Sequence, residues 1–161
     1  MEKEIIRPAH NKPAMICKSW KYIKHEAESL REFIKHGEFE GQYKQAYAIS
    51  HAQVSHAPLH FFVINEEMDD GKLKKWFGSW VVINAKILSQ EDPINWLEAC
   101  MSFPHRDPKR TVRWSKIKVE YYIPFLWTWR KVRRSFKEIP AFIVQHEIEH
   151  AAGKNIYGLH K

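Results

Sequence analysis

The stretch that most restricts how this chain can fold runs from Ile139 to Gly153. Pro140 suits a first helical turn, where its missing N–H is no loss. Gly153 suits the stop. Between them Ile139, Phe142, Ile143 and His146 follow the three-and-four spacing of a buried face. Val144, Ile148 and Ala151 form a second apolar row. A helix apolar on two sides must be covered on both, which places it, with its two His, in the middle of the core. The same stretch contains His146-Glu147-Ile148-Glu149-His150. Residues four apart lie one turn above each other on a helix, so His146 and His150 can hold one divalent cation between them. Glu147 then sits near enough to act on a water at that cation. The chain has 10 His, so the motif has a real chance frequency. Buried imidazoles and a buried carboxylate are costly without a partner, and that favours the metal reading. A near-match, His25-Glu26-Ala27-Glu28-Ser29, lacks the second His and reads as a solvated helix face.

Around this helix the chain offers mostly strands. Pro8 and Pro13 predict an extended arm over residues 1–24. Residues 25–36 predict a helix with Leu30, Phe33 and Ile34 on one face, ended by Gly37. Residues 37–46 predict a loop. Phe61-Phe62-Val63-Ile64 reads as a buried strand after a turn at Pro58. Met68 to Lys75 reads as a charged turn, and Trp80-Val81-Val82-Ile83 as another strand. Ile117, Val119 and Tyr121 alternate with Lys116, Lys118 and Glu120, the pattern of a half-exposed strand. Phe125, Trp127 and Trp129 continue the alternation beyond Pro124. The basic run Arg130 to Arg134, interleaved with aromatics, is compatible with a nucleic-acid surface. A sheet with one wet face accounts for it with less. The expectation is a single α+β domain over 1–161: small mixed or antiparallel sheets packed around a central C-terminal helix.

At 161 residues one domain has room for a real core. No apolar run approaches membrane-spanning length, and the N-terminus carries no cleavage-site pattern. Two Cys, Cys17 and Cys100, make no disulfide framework, so a reducing cytoplasmic setting is expected. A formal net charge of +7 fits a soluble surface or an acidic partner.

A catalytic site of this kind needs a third protein ligand. The tail after His150 contains no Asp or Glu. Ile156 stands where the longer metzincin pattern has a His, and His160 lies at an unfamiliar distance. The ligand is therefore expected upstream, with Cys100 the best candidate and His160 or an unseen acid as alternatives.

Here three stretches resemble one family, peptide deformylase. Glu98-Ala99-Cys100-Met101-Ser102 resembles its E-G-C-L-S motif. Gln145 to His150 resembles Q-H-E-x-D-H, including the acid at Glu149. Ala46 to Gln53 resembles G-x-G-x-A-A-x-Q, with Ala46 and Ala48 in place of glycines and His51 in place of a small residue. The stretch His56 to Ile64 is similar to the strand entry that follows. The likeness covers about residues 40–158, as a short, divergent member without a C-terminal extension.

The resemblance implies a metal-dependent hydrolase that removes the formyl group from N-terminal formylmethionine and releases formate. It implies Cys100, His146 and His150 as ligands of Fe(2+), with Zn(2+) or Ni(2+) as substitutes. Glu147 would be the general base, and the Gln53 amide and the Met101 backbone N–H would hold the oxyanion. Tyr47, Ile139, Phe142 and Ile143 would take the methionine side chain, and the strand at Ala48 the peptide backbone. Glu98 and Arg113 would pair behind the Cys loop. Nascent chains are the expected partner, with weak ribosome association through the basic surface, no membrane, and a monomer. Two other classes stay in view: a zinc HExxH metallopeptidase, and a metal-stabilised binding protein without catalysis.

Overall fold

A computed structural model describes residues 12–37, 46–100, 102–103 and 105–157. Five strands form one antiparallel sheet in chain order: β1 Ala48–Ser50, β2 Phe61–Ile64, β3 Val81–Glu98, β4 Lys109–Phe125 and β5 Thr128–Lys137. Among the described residues three α-helices accompany it: α1 Trp20–His36, α2 Lys72–Phe77 and α3 Ile139–Ala151. The α+β class holds. The separate small sheets do not, because β3 and β4 run on for 18 and 17 residues and join everything into one meander.

The period of two in β2 sorts its side chains onto two cores. Phe61 and Val63 pack with Ile23, Ala27 and Leu30 of α1. Phe62 and Ile64 pack with Ile117, Val119 and Tyr121 of β4 and with Ala141 and Val144 of α3. The sheet thus lies between α1 and α3. As expected of a helix apolar on two sides, α3 is buried along most of its length. Gly153, at φ 78°, turns the chain away after it, and the amides of Gly153 and Lys154 cap His150 and Glu149 carbonyls.

Several boundaries differ from the sequence reading. The helix α1 starts at Trp20, so the expected arm ends earlier; of it, residues 1–11 lie outside the described residues. Trp20, Ile23, Ala27, Leu30 and Ile34 form its buried stripe, and Phe33 lies at the edge of that stripe. The expected turn at Met68 to Lys75 is a 3-10 turn, Met68–Gly71, followed by α2, which buries Leu73 and Phe77. The expected loop at 37–46 falls mostly outside the described residues. Phe125, Trp127 and Trp129 do not share one strand. Phe125 pairs with Thr128 across a two-residue turn, in which Leu126 takes φ 54° and Trp127 is 83% exposed. On β4 the alternation is as read: Ile117, Val119 and Tyr121 are buried, while Lys116 and Lys118 face water.

α1 is clamped to the segment after β2 by one carboxylate. Glu66 accepts two hydrogen bonds from Arg31, at 2.6 and 2.8 Å, and lies 3.2 Å from Lys35 and 3.1 Å from Lys74. Burial alone would push the Glu66 carboxyl up, but the hydrogen bonds from Arg31, Lys74 and Lys35 outweigh it and bring it from 4.5 down to about 2. A depressed carboxylate stabilises the fold above its unfolded value and loses that contribution as pH falls through the folded one. Wild type is therefore expected to exceed Glu66→Gln in stability by about 1–2 kcal/mol at neutral pH. The gap should close between pH 4.5 and about 2. Thermal melts of both proteins across that range check it. A constant gap would show that packing, not charge, carries the difference.

Candidate metal centre

The helix α3 presents His146 and His150 one turn apart, and the loop after β3 presents Cys100. Cys100 Sγ lies 3.3 Å from His150 Nε2, which lies 3.1 Å from His146 Nε2. All three donor atoms fall within 4.8 Å of one another. Among the described residues this is the one such His, Cys or carboxylate group. Cys100 and His150 are buried, while the His146 side chain keeps 15% of its surface at the cavity.

His146 is oriented from behind. Its Nδ1 faces Glu98 Oε1 at 3.2 Å, so Glu98 accepts from Nδ1–H and Nε2 is turned toward the other two donors. Glu98 is held in turn by Arg113, whose Nε donates to Glu98 Oε2 at 2.9 Å and whose Nη2 donates to Oε1. The same guanidinium donates to both carboxylate oxygens of Glu149, at 2.6 and 2.9 Å. Arg113 is 4% exposed, so a surface role for it is excluded. It ties the end of β3 to the last turn of α3 and so fixes the distance between Cys100 and the two imidazoles. Burial raises the Glu98 carboxyl, but the hydrogen bonds from His146 and Arg113 prevail and hold it at about 2. Gln145 does a parallel job: its Oε1 accepts from the Trp114 N–H at 2.9 Å and its Nε2 donates to the Trp114 carbonyl at 2.8 Å. This splices α3 onto β4 like an extra rung of the sheet.

The donor set suits a cation. Burial opposes a charged Cys100, yet the charge of His150 and the hydrogen bonds of both imidazoles outweigh it and hold the thiol well below its ordinary value. Burial lowers the His146 imidazole, but its hydrogen bonds to Cys100 and Glu98 raise it well above its ordinary value, so thiolate and imidazole share a proton that a bound cation would displace. Glu147 adds a fourth sign. It is 4% exposed, and its Oε2 has no hydrogen-bond partner. Burial raises its carboxyl, the charge of His146 and His150 offsetting this only in part. An orphaned buried carboxylate oxygen beside two imidazoles and a thiolate is what a metal-bearing site leaves for its ligand chemistry.

A cavity of about 360 Å³ opens beside these donors. Tyr47, Ala48, Ile139, Phe142 and Ile143 line it, together with Gln53 and Glu147. Gln53 is 1% exposed; its Oε1 accepts from the Ser50 N–H at 2.9 Å and its Nε2 donates to Ser102 Oγ at 3.0 Å. Nε2 also lies 3.9 Å from Cys100 Sγ, so the amide borders the ligand triangle. Met101 and His160 lie outside the described residues. Sequence reasoning missed Trp96, which lines the cavity and packs against Phe142 with ring centroids 4.4 Å apart and planes tilted by 33°. The signal was present: in a strand, Trp96 shares a face with Glu98.

Comparison with known proteins agrees with this geometry. A family model described as Polypeptide deformylase matches residues 7–158. A peptide deformylase of Lactococcus lactis is 34% identical over 80 residues, which are 48% of this chain and 39% of that protein. The chain thus aligns with well under half of that relative's length. The fold is similar to the crystal structure of peptide deformylase from Thermotoga maritima, with TM-score 0.75 and 23% identity over 100% of this chain and 99% of that one. It is also similar to Arabidopsis thaliana peptide deformylase 1B, with TM-score 0.72 and 22% identity over 96% and 79% of the two chains. No helix among the described residues is long and apolar enough to cross a membrane. Because the family match runs unbroken from before the Gln53 turn, through the Cys100 loop, to beyond His150, the chain belongs to the polypeptide deformylase family.

Proposed function

We propose that this protein hydrolyses the N-formyl group of N-terminal formylmethionine on nascent polypeptides and releases formate. The observation that carries the reading is the buried thiol of Cys100, 3.3 Å from His150 Nε2, with the unpartnered Glu147 Oε2 on the residue next to His146. Cys100, His146 and His150 would hold Fe(2+), or Zn(2+) or Ni(2+) in its place, and the bound ion would supply Lewis acidity toward the water and the formyl oxygen. Glu147 takes the proton from the attacking water and returns it to the departing amine. Gln53 Nε2 donates to the formyl oxygen as negative charge builds on it, and the Met101 N–H is assigned the same oxygen.

The methionine side chain fills the cavity between Tyr47, Ile139, Phe142 and Ile143. The peptide backbone adds to β1 at Ala48, on the edge that β2 leaves open. The partners proposed are formylated nascent chains in the cytoplasm, met by a monomer. The basic run on β5 would give weak ribosome association. A zinc peptidase with its third ligand elsewhere is the less favoured reading, since the Cys100 thiol already lies with His146 and His150, all three donor atoms within 4.8 Å of one another. The test is anaerobic purification, metal analysis and an assay on formyl-Met-Ala-Ser. The expected result is formate released in step with free Met-Ala-Ser. Cleavage of an internal peptide bond without formate overturns the reading.

A further inference from the structure

We propose that His51 is a positioning residue for the Gln53 amide, anchored from α1 by Glu26, an inference that rests on the deformylase reading. His51 stands where the resembling motif has a small residue, and Glu26 belongs to the His-Glu near-match on α1. The structure brings these two oddities together.

His51 opens the 3-10 turn His51–Gln53, and its carbonyl accepts from the Val54 N–H at 3.2 Å. The ring is 3% exposed and stacks on Phe61 at 4.8 Å and 17°. Its Nδ1 accepts the Leu59 N–H at 3.0 Å. A nitrogen that accepts cannot also carry the proton, so this bond assigns the proton to Nε2. Nε2 lies 3.3 Å from Glu26 Oε2. One imidazole thus ties the turn to the entrance of β2 and to α1.

Within the turn, Ser50 Oγ accepts the Ala52 N–H at 3.3 Å, and the Ser50 N–H holds Gln53 Oε1 at 2.9 Å. The amide oxygen is therefore fixed to the turn itself, and the tilt of the turn decides where Nε2 points. Nε2 points at Ser102 Oγ and the Cys100 side of the cavity. The Glu26 side chain is 44% exposed, so its bond contributes orientation more than stability.

The test compares wild type, His51→Ala, Gln53→Ala and the double variant, each assayed with metal content measured. His51→Ala is expected to lower kcat by about 10-fold with KM and metal content unchanged, since a small misplacement of a donor costs that much or more. Gln53→Ala should lower kcat by about 10²-fold, and the double variant should be no slower than Gln53→Ala alone. Glu26→Ala should lower kcat about threefold, while Glu26→Gln, whose amide oxygen still accepts from Nε2, should retain it. Unchanged kcat in His51→Ala, or losses that multiply in the double variant, overturn the proposal. If His51→Ala fails to fold, equal kcat in the two Glu26 variants overturns it. A readout independent of turnover is the Gln53 side-chain amide resonance in ¹H–¹⁵N spectra. It should shift or broaden in His51→Ala and Glu26→Ala, and an unmoved signal counts against His51 whatever the reaction proves to be. Wild type that releases no formate sinks the deformylase reading, and the spectra still decide the role of His51.

Discussion

Glu147→Gln is expected to lower kcat on formyl-Met-Ala-Ser by about 10²–10⁴-fold, the range that general acid–base groups contribute. Metal content and KM should stay near wild type. The substitution is nearly isosteric and changes one property: the side chain can no longer accept a proton from water and pass it on. Glu147 is well placed for that role. It is buried, its Oε2 lacks any partner among the protein's donors, and burial raises its carboxyl toward the range where a base also releases its proton readily. An orphaned carboxylate oxygen is a stability loss that a neutral amide reduces, so the variant should melt no lower than wild type. The measurement is steady-state kinetics beside metal analysis and a thermal melt. A loss of kcat with metal and Tm intact assigns a chemical role. Full activity would instead show that another group takes the proton from water, whereas a wild type that binds metal and releases no formate would favour a metal-stabilised binding protein.

That Glu147 can be singled out at all reflects how α3 was legible. Its two apolar rows, with Pro140 at the start and Gly153 past the end, locate it in the core, because only a covered helix tolerates apolar groups on both sides. Cys100 was legible as a candidate from a shortage: two His need a third donor, and the tail has no Asp or Glu and only His160, at an unfamiliar distance. Other features were hidden for physical reasons. β3 contains Asp92-Pro93, which reads as a turn, yet Pro93 lies beyond the part of β3 that pairs with β2, and its β4 neighbour Trp114 gives its N–H and C=O to Gln145, so the missing N–H costs the β3–β4 ladder no bond. The hairpin turn at Leu126 and Trp127 uses apolar residues where Gly or Asn would announce it, and Leu126 accepts positive φ. α2 is short and Lys-rich, and only Leu73 and Phe77 betray its buried side. The burial of Arg113 was not readable locally, because its partners Glu98 and Glu149 stand 15 and 36 positions away.

Cys100→Ala is expected to remove the metal and, with it, turnover. Losing an outer partner of a ligand weakens metal binding by about 10–100-fold, and losing one of three direct donors should exceed that. Cys100 is also the softest and the only anionic donor of the three, so its loss removes the charge that offsets the cation. The fold should survive. The loop is held independently of the thiol by Arg113 on Glu98 and by Gln53 on Ser102, and truncating one buried sulfur leaves only a small void. The comparison is metal per chain after anaerobic purification, wild type against Cys100→Ala, with His160→Ala as the control for a ligand from the tail. Metal lost only in Cys100→Ala fits a Cys-His-His centre and the water chemistry that Glu147 serves. Metal retained in Cys100→Ala but lost in His160→Ala would move the third vertex to the tail. The site would then be a peptidase-like centre, and the buried thiol an ordinary core residue.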